Sequence, residues 1–139
     1  MCDYKIGYVA GVFDLFHVGH LNIVRKAKEH CGYLIVGVLT DDLVMHFKSH
    51  MPVIPFKERI EILKSIRYVD EAVPVTFENI DKMDAWRMYR FDCLFSGDDY
   101  RNAPHWLADQ RKLQEVGSDI VFFPYTQSTS STMIRNKLK

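Results

Sequence analysis

The chain has 139 residues, with 18 Lys and Arg against 18 Asp and Glu and 47% apolar residues. That content suits a single domain over residues 1–139 with one real core, while the zero net charge and lack of a basic run argue against nucleic acid as the main partner. No run approaches the ~18 consecutive apolar residues of a membrane-spanning helix, and Met1-Cys2-Asp3-Tyr4-Lys5 lacks the regions of a signal peptide, so a cytoplasmic protein with no membrane partner is expected.

Ile6 to Ala10 is short, apolar and β-prone, and Gly11 closes it as a first buried strand. From His20 onward, Leu21, Val24, Ala27 and Lys28 recur at helical spacing, and Gly32 ends that helix. Tyr33 to Leu39 is a continuously apolar second strand, of the kind buried on both faces of a parallel sheet. Thr40-Asp41-Asp42 caps a short helix, and Met51 to Pro55, with two prolines, is a loop. Then come a helix from Phe56 to Ile66, a strand from Tyr68 to Val75, a helix from Asp81 to Tyr89 and a strand from Cys93 to Ser96 ended by Gly97. A helix from Trp106 to Val116 stops at Gly117, Ile120 to Phe123 forms the fifth strand, and Ser130 to Leu138 forms the last helix, with Ser130 or Ser131 as its cap. Strands alternating with helices imply an α/β fold: a Rossmann-like, parallel, five-stranded sheet with helices on both faces. Such sheets bind ligands beyond the carboxyl ends of their strands, where the strand order reverses. Cys2, Cys31 and Cys93 are odd in number and widely spaced, which suits packing residues in a reducing compartment.

The segment Gly11-Val12-Phe13-Asp14-Leu15-Phe16-His17-Val18-Gly19-His20 falls at the first strand end. Two histidines three apart at a helix start can point the same way, beside free N–H groups that attract anions, and Gly19 allows close approach of a phosphate. The chemistry this suggests is attack by a phosphate oxygen on an α-phosphorus with departure of pyrophosphate. The attacking phosphate is already ionised, so the site must align the reactants and stabilise charge rather than supply a base. His17 and His20 can each donate to a phosphate oxygen, and a protonated ring would add charge. No third ligand lies at a spacing that would make the pair a metal site.

This segment resembles the H-x-G-H signature of the cytidylyltransferase-type nucleotidyltransferases, most nearly the bacterial glycerol-3-phosphate cytidylyltransferases, and the likeness runs from Gly11 to about Lys137. The resemblance implies a homodimer that transfers CMP from CTP to glycerol 3-phosphate, giving CDP-glycerol and pyrophosphate, with Mg²⁺ accompanying the triphosphate. It implies nucleotide contacts from Gly11, Val12, Phe13, Asp14 and Gly19. Clustered cations offset the phosphates: Lys48, Arg59 and Arg67 are the candidates. The block from Arg59 to Asp70 is similar to the family's R-x-x-x-L-x-x-x-R-Y-V-D, whose first Arg helps organise the site, while the loop lysines contact CTP and substrate. Lys48 matches the first of two loop lysines, and Ser49 or His50 stands at the second, in a loop one residue longer. Lys82 is the counterpart of a further substrate lysine.

Ser96-Gly97-Asp98-Asp99-Tyr100 resembles the family's G-D-D-W or G-D-D-Y turn, whose carboxylates accept hydrogen bonds from ribose or base. Tyr125-Thr126-Gln127-Ser128-Thr129-Ser130-Ser131-Thr132 resembles R-T-E-G-I-S-T-T, in which the last hydroxyl residues hold the triphosphate. Here Tyr125 replaces Arg, Gln127 replaces the acid and Ser128 replaces Gly; Arg101 or Arg135 could restore the lost cation. The stretch from Arg101 to Trp106 is expected to border the acceptor. Two alternatives stay open. One is another acceptor, such as phosphocholine or glycerol 2-phosphate, or ATP in place of CTP. The other is a regulatory module that binds nucleotide without turnover.

Overall fold

A computed structural model of the chain describes residues 3–97, 102–124 and 130–138. Five strands are arranged around β1 (Tyr4–Gly11): β2 (Cys31–Leu39) and β3 (Glu71–Val75) to one side, β4 (Cys93–Gly97) and β5 (Ile120–Phe123) to the other, in the order β3-β2-β1-β4-β5 with every neighbouring pair parallel. The chain builds outward from β1 to β3, returns to the other side of β1, and builds outward again. The reversal between β1 and β4 opens a crevice where helices on the two faces diverge.

Successive strand residues face opposite sides, and both sides are buried. Val9, Leu34, Val36, Val38 and Phe95 point into one cluster with Val24 and Ala27 of α1 (Val18–Glu29) and with Ile60 and Leu63 of α3 (Phe56–Lys64). Tyr8, Ile35 and Leu94 point into the other, with Ala85 of α4 (Lys82–Tyr89) and Leu113 of α5 (Pro104–Glu115). Two further helices stand at the carboxyl edge, α2 (Asp41–Lys48) and α6 (Ser131–Lys137). Among the described residues no helix is long and apolar enough to cross a membrane.

Several element ends differ from expectation by one or two residues, and the larger departures have local causes. The first helix starts at Val18, because His17 is its N-cap. It ends at Glu29, and Gly32 lies inside β2 rather than at a helix C-terminus. Thr40 holds the N-cap position of α2 but makes no side-chain cap bond. Tyr68 and Val69 precede β3 in a turn closed by Val69 N–H donating to Ile66 O at 3.0 Å. Asp70 then anchors that turn to β2, accepting the Leu34 N–H at 2.7 Å.

Candidate active site at the switch point

Gly11 and Gly97, the last residues of β1 and β4, line one cleft of about 340 Å³ together with Val12, Phe13, Asp14, His17, Gly19, His20, Lys48, Ser130, Ser131 and Thr132. The volume lies within the ordinary range of small-ligand pockets. The loop that follows β1 reaches it by two unusual turns: Phe13 and Leu15 have φ of 56° and 52°. Left-handed backbone at non-glycine residues costs about 1–2 kcal/mol each, so the surrounding contacts must impose it. Phe13 is buried, and its ring meets the His20 ring edge-on at 5.5 Å.

The two histidines cap α1 reciprocally. His17 Nδ1 accepts the Gly19 N–H at 3.0 Å, and His20 Nδ1 accepts the His17 N–H at 3.2 Å. Their rings stack with centroids 4.0 Å apart. An Nδ1 that accepts cannot carry a proton, so each neutral ring carries its hydrogen on Nε2. Burial lowers the His17 pKa. Burial first, and the neighbouring His17 second, lower that of His20 to about 4, against a smaller opposing effect of Asp14. The imidazolium considered from sequence is therefore opposed by both the cap and the burial. The pair is built as two neutral Nε2–H donors at a helix N-terminus, where backbone N–H groups add to the attraction for anions.

Asp14, expected to contact nucleotide, has its carboxylate engaged within the fold. It accepts the Val53 N–H at 2.8 Å and the Ile54 N–H at 2.9 Å, and Arg135 Nη1 stands 3.5 Å away. Its carbonyl accepts the Ser131 hydroxyl at 2.6 Å, which ties α6 to the β1 loop. Arg59, expected to hold phosphates, is fully buried and does not line the cleft. Its guanidinium donates to Ile54 O at 2.8 Å, Val12 O at 2.7 Å and Asp41 Oδ1 at 2.7 Å, so it positions the loops that carry the site. Lys48, at the end of α2, is exposed and lines the cleft as expected.

Three expected substrate contacts lie elsewhere. Arg67 is exposed over the Tyr68 ring, before β3 and so at the amino edge of the sheet. Lys82 is held 2.9 Å from Asp109 and 3.7 Å from the centre of the Trp106 ring, joining α4 to α5; neither Lys82 nor Trp106 lines the cleft. Asp98, Asp99, Arg101, Tyr125 and Thr126 lie outside the described residues. In the hydroxyl segment, Ser130 Oγ accepts the Met133 N–H at 3.0 Å as the α6 cap, and Thr132 Oγ1 accepts from Arg135 Nη2 at 3.3 Å. Arg135 thus stands at the cleft wall with long contacts to Asp14 and Thr132.

Asn22, Ile23, Lys26 and His50 line the cleft although the sequence did not mark them as contacts, and Arg135, the candidate replacement for the lost cation, lines it too. Helical spacing was the signal for three of them: 22, 23 and 26 follow Gly19 at i+3, i+4 and i+7. His50, one of the two residues that stand where a second loop lysine is expected, donates its Nδ1–H to Met51 O at 3.1 Å.

The chain is similar to known proteins. The family described as cytidylyltransferase-like matches residues 8–137. Glycerol-3-phosphate cytidylyltransferase of Bacillus subtilis is 31% identical over 128 residues, covering 92% of each chain. FAD synthase of Thermococcus kodakarensis is 33% identical over 117 residues, 84% of this chain and 78% of that protein. The crystal structure of a lipopolysaccharide core biosynthesis protein from Thermoplasma volcanium superposes with a TM-score of 0.72 at 21% identity, over 91% of this chain and 99% of that one, and so shares the fold. A family match that runs from β1 through the histidine pair to the hydroxyl-bearing start of α6 takes in both walls of the cleft, and the chain belongs to the cytidylyltransferase-like nucleotidyltransferases.

Proposed function

We propose that this protein transfers CMP from CTP to glycerol 3-phosphate. An oxygen of the acceptor phosphate attacks the α-phosphorus of CTP. The bond from that phosphorus to the bridging oxygen breaks, and pyrophosphate leaves with the electron pair. The product, CDP-glycerol, contains the new P–O–P link. The observation that carries the reading is the reciprocal cap that sets His17 and His20 as paired Nε2–H donors on the cleft. In this reading the two rings stabilise charge on the pentavalent phosphorus. Lys48 meets the acceptor phosphate, Arg135 and the residues Ser130 to Thr132 meet the triphosphate, and Arg59 and Asp14 position the loops. The glycerol-3-phosphate acceptor is supported by the Bacillus subtilis relative.

Mg²⁺ belongs to this reading as a companion of the triphosphate. Among the described residues no cluster of three His, Cys, Asp or Glu could cage a metal ion, and the cleft carboxylate of Asp14 is already held by two backbone N–H groups. In this reading the ion would arrive with the nucleotide as a companion of its phosphates and would help offset their charge.

A second reading is favoured by the 33% identity to an FAD synthase and by the missing second loop lysine, where Ser49 or His50 stands. FAD joins an adenylyl group to flavin mononucleotide, so this alternative is adenylyl transfer to a bulkier phosphate monoester. Pyrophosphate release measured for CTP and ATP, each against glycerol 3-phosphate, glycerol 2-phosphate, phosphocholine and flavin mononucleotide, separates the two. Release is expected to be highest with CTP and glycerol 3-phosphate. Highest release with ATP and flavin mononucleotide would establish the second reading, and nucleotide binding without release for any pair would make the protein a non-catalytic nucleotide-binding module.

A further inference from the structure

The cleft does not stop at the histidine pair. Gly19, Asn22, Ile23 and Lys26 all line it, so it follows one face of α1 for about two turns. That helix carries three basic side chains, and two are held by the fold. Arg25 Nη2 donates to Asn22 Oδ1 at 2.6 Å, while Lys28 Nζ donates to Gly32 O at 2.8 Å and Asp70 Oδ2 at 2.7 Å. Lys26 makes no hydrogen bond or ion pair with any described residue. It is half-buried, and Asp14 is the cleft's only carboxylate among the described residues, already held by Val53 and Ile54. A partly desolvated ammonium with no counter-ion among the described residues favours an anion from solution. Helical side chains lean toward the N-terminus. Lys26, whose Cα lies roughly 10 Å along the helix from Gly19, therefore extends back toward the imidazoles.

We propose that Lys26 clamps the β- and γ-phosphates of the nucleoside triphosphate, the part that departs as pyrophosphate, while His17 and His20 attend the α-phosphate. The inference rests on the nucleotidyltransferase reading above. It gives the leaving group its own cation, placed where negative charge grows as the bond to the α-phosphorus breaks. It also gives the cleft a means to distinguish a triphosphate from a monophosphate.

Calorimetric titration of CTP and CMP, with ATP and AMP in parallel, into wild type, Lys26→Met and Lys26→Arg tests it. Methionine keeps the stem and the helix propensity, so the fold is expected to survive, with an unchanged melting temperature. Loss of one charge-assisted bond should weaken triphosphate binding by about 10- to 100-fold with little change for the monophosphate, and arginine should restore most of the loss. Unchanged triphosphate binding in Lys26→Met, or equal weakening for triphosphate and monophosphate, overturns the clamp and leaves the transfer reading standing. Failure of the wild type to bind any of the four nucleotides overturns both.

Discussion

Two imidazoles that each accept a backbone N–H from the helix they open have little choice of tautomer. His17 and His20 are fixed as Nε2–H donors by bonds of 3.0 and 3.2 Å, and the aromatic rings of Phe13 and Phe16 pack around His20 at 5.5 and 5.3 Å. The same packing has a consequence for stability. The ordinary pKa of 6.5 falls to about 4 for His20 in the fold, so between these values the unfolded chain binds the extra proton and the native state does not. The stabilisation is complete above pH 6.5 and is lost as the pH falls toward 4; His17 shifts in the same direction. Melting temperatures recorded across that window should fall more steeply for wild type than for His20→Gln, in which the titrating ring is gone. Parallel curves would show that His20 is not held neutral by burial.

At the scale of elements, the site is assembled by residues that never face it. Arg59 of α3 joins Val12 after β1, Ile54 before α3 and Asp41 at the start of α2, and Asp41 Oδ1 also accepts the Phe56 N–H at 3.0 Å. Asp14 performs the matching task from the other side, linking the segment at Val53 and Ile54 to α6 through its own carbonyl and Ser131. Arg59→Met leaves two carbonyls and a carboxylate without their shared donor. Because the Asp41 side chain is 28% exposed, water recovers part of the loss, and a destabilisation of about 3 kcal/mol is expected, read by urea unfolding. Stability within about 0.5 kcal/mol of wild type would mean that Arg59 is not the link between these loops.

For the molecule as a whole, the alternation of apolar runs with helical spacing was enough to read the parallel sheet, since strands buried on both faces have no polar side to disguise them. All five strands lie where such runs occur, and β5 has the bounds expected from Ile120 to Phe123. The exceptions have physical causes. Tyr68 and Val69 are apolar because they pack against the first core cluster from a turn, not because they pair in the sheet. The sequence places both histidines at a helix start, and α1 begins two residues before His20 because histidine at both capping positions replaces the usual hydroxyl and carboxylate. The cleft's position and the histidine pair were legible from Gly11 to His20, whereas charge alone could not separate the buried Arg59 and the paired Lys82 from Lys26, which has no partner among the described residues, because sequence shows a cation without its surroundings.

The central claim, that two neutral imidazoles at the switch point stabilise transfer of a nucleotidyl group, is tested most directly by following CTP labelled at its α-phosphate, in the presence of glycerol 3-phosphate, with wild type, His17→Ala and His20→Ala. Passage of the label into CDP-glycerol by wild type is expected, with turnover lower by about 100-fold or more in either variant and a far smaller change in CTP affinity. Near-normal turnover in either variant would contradict the account.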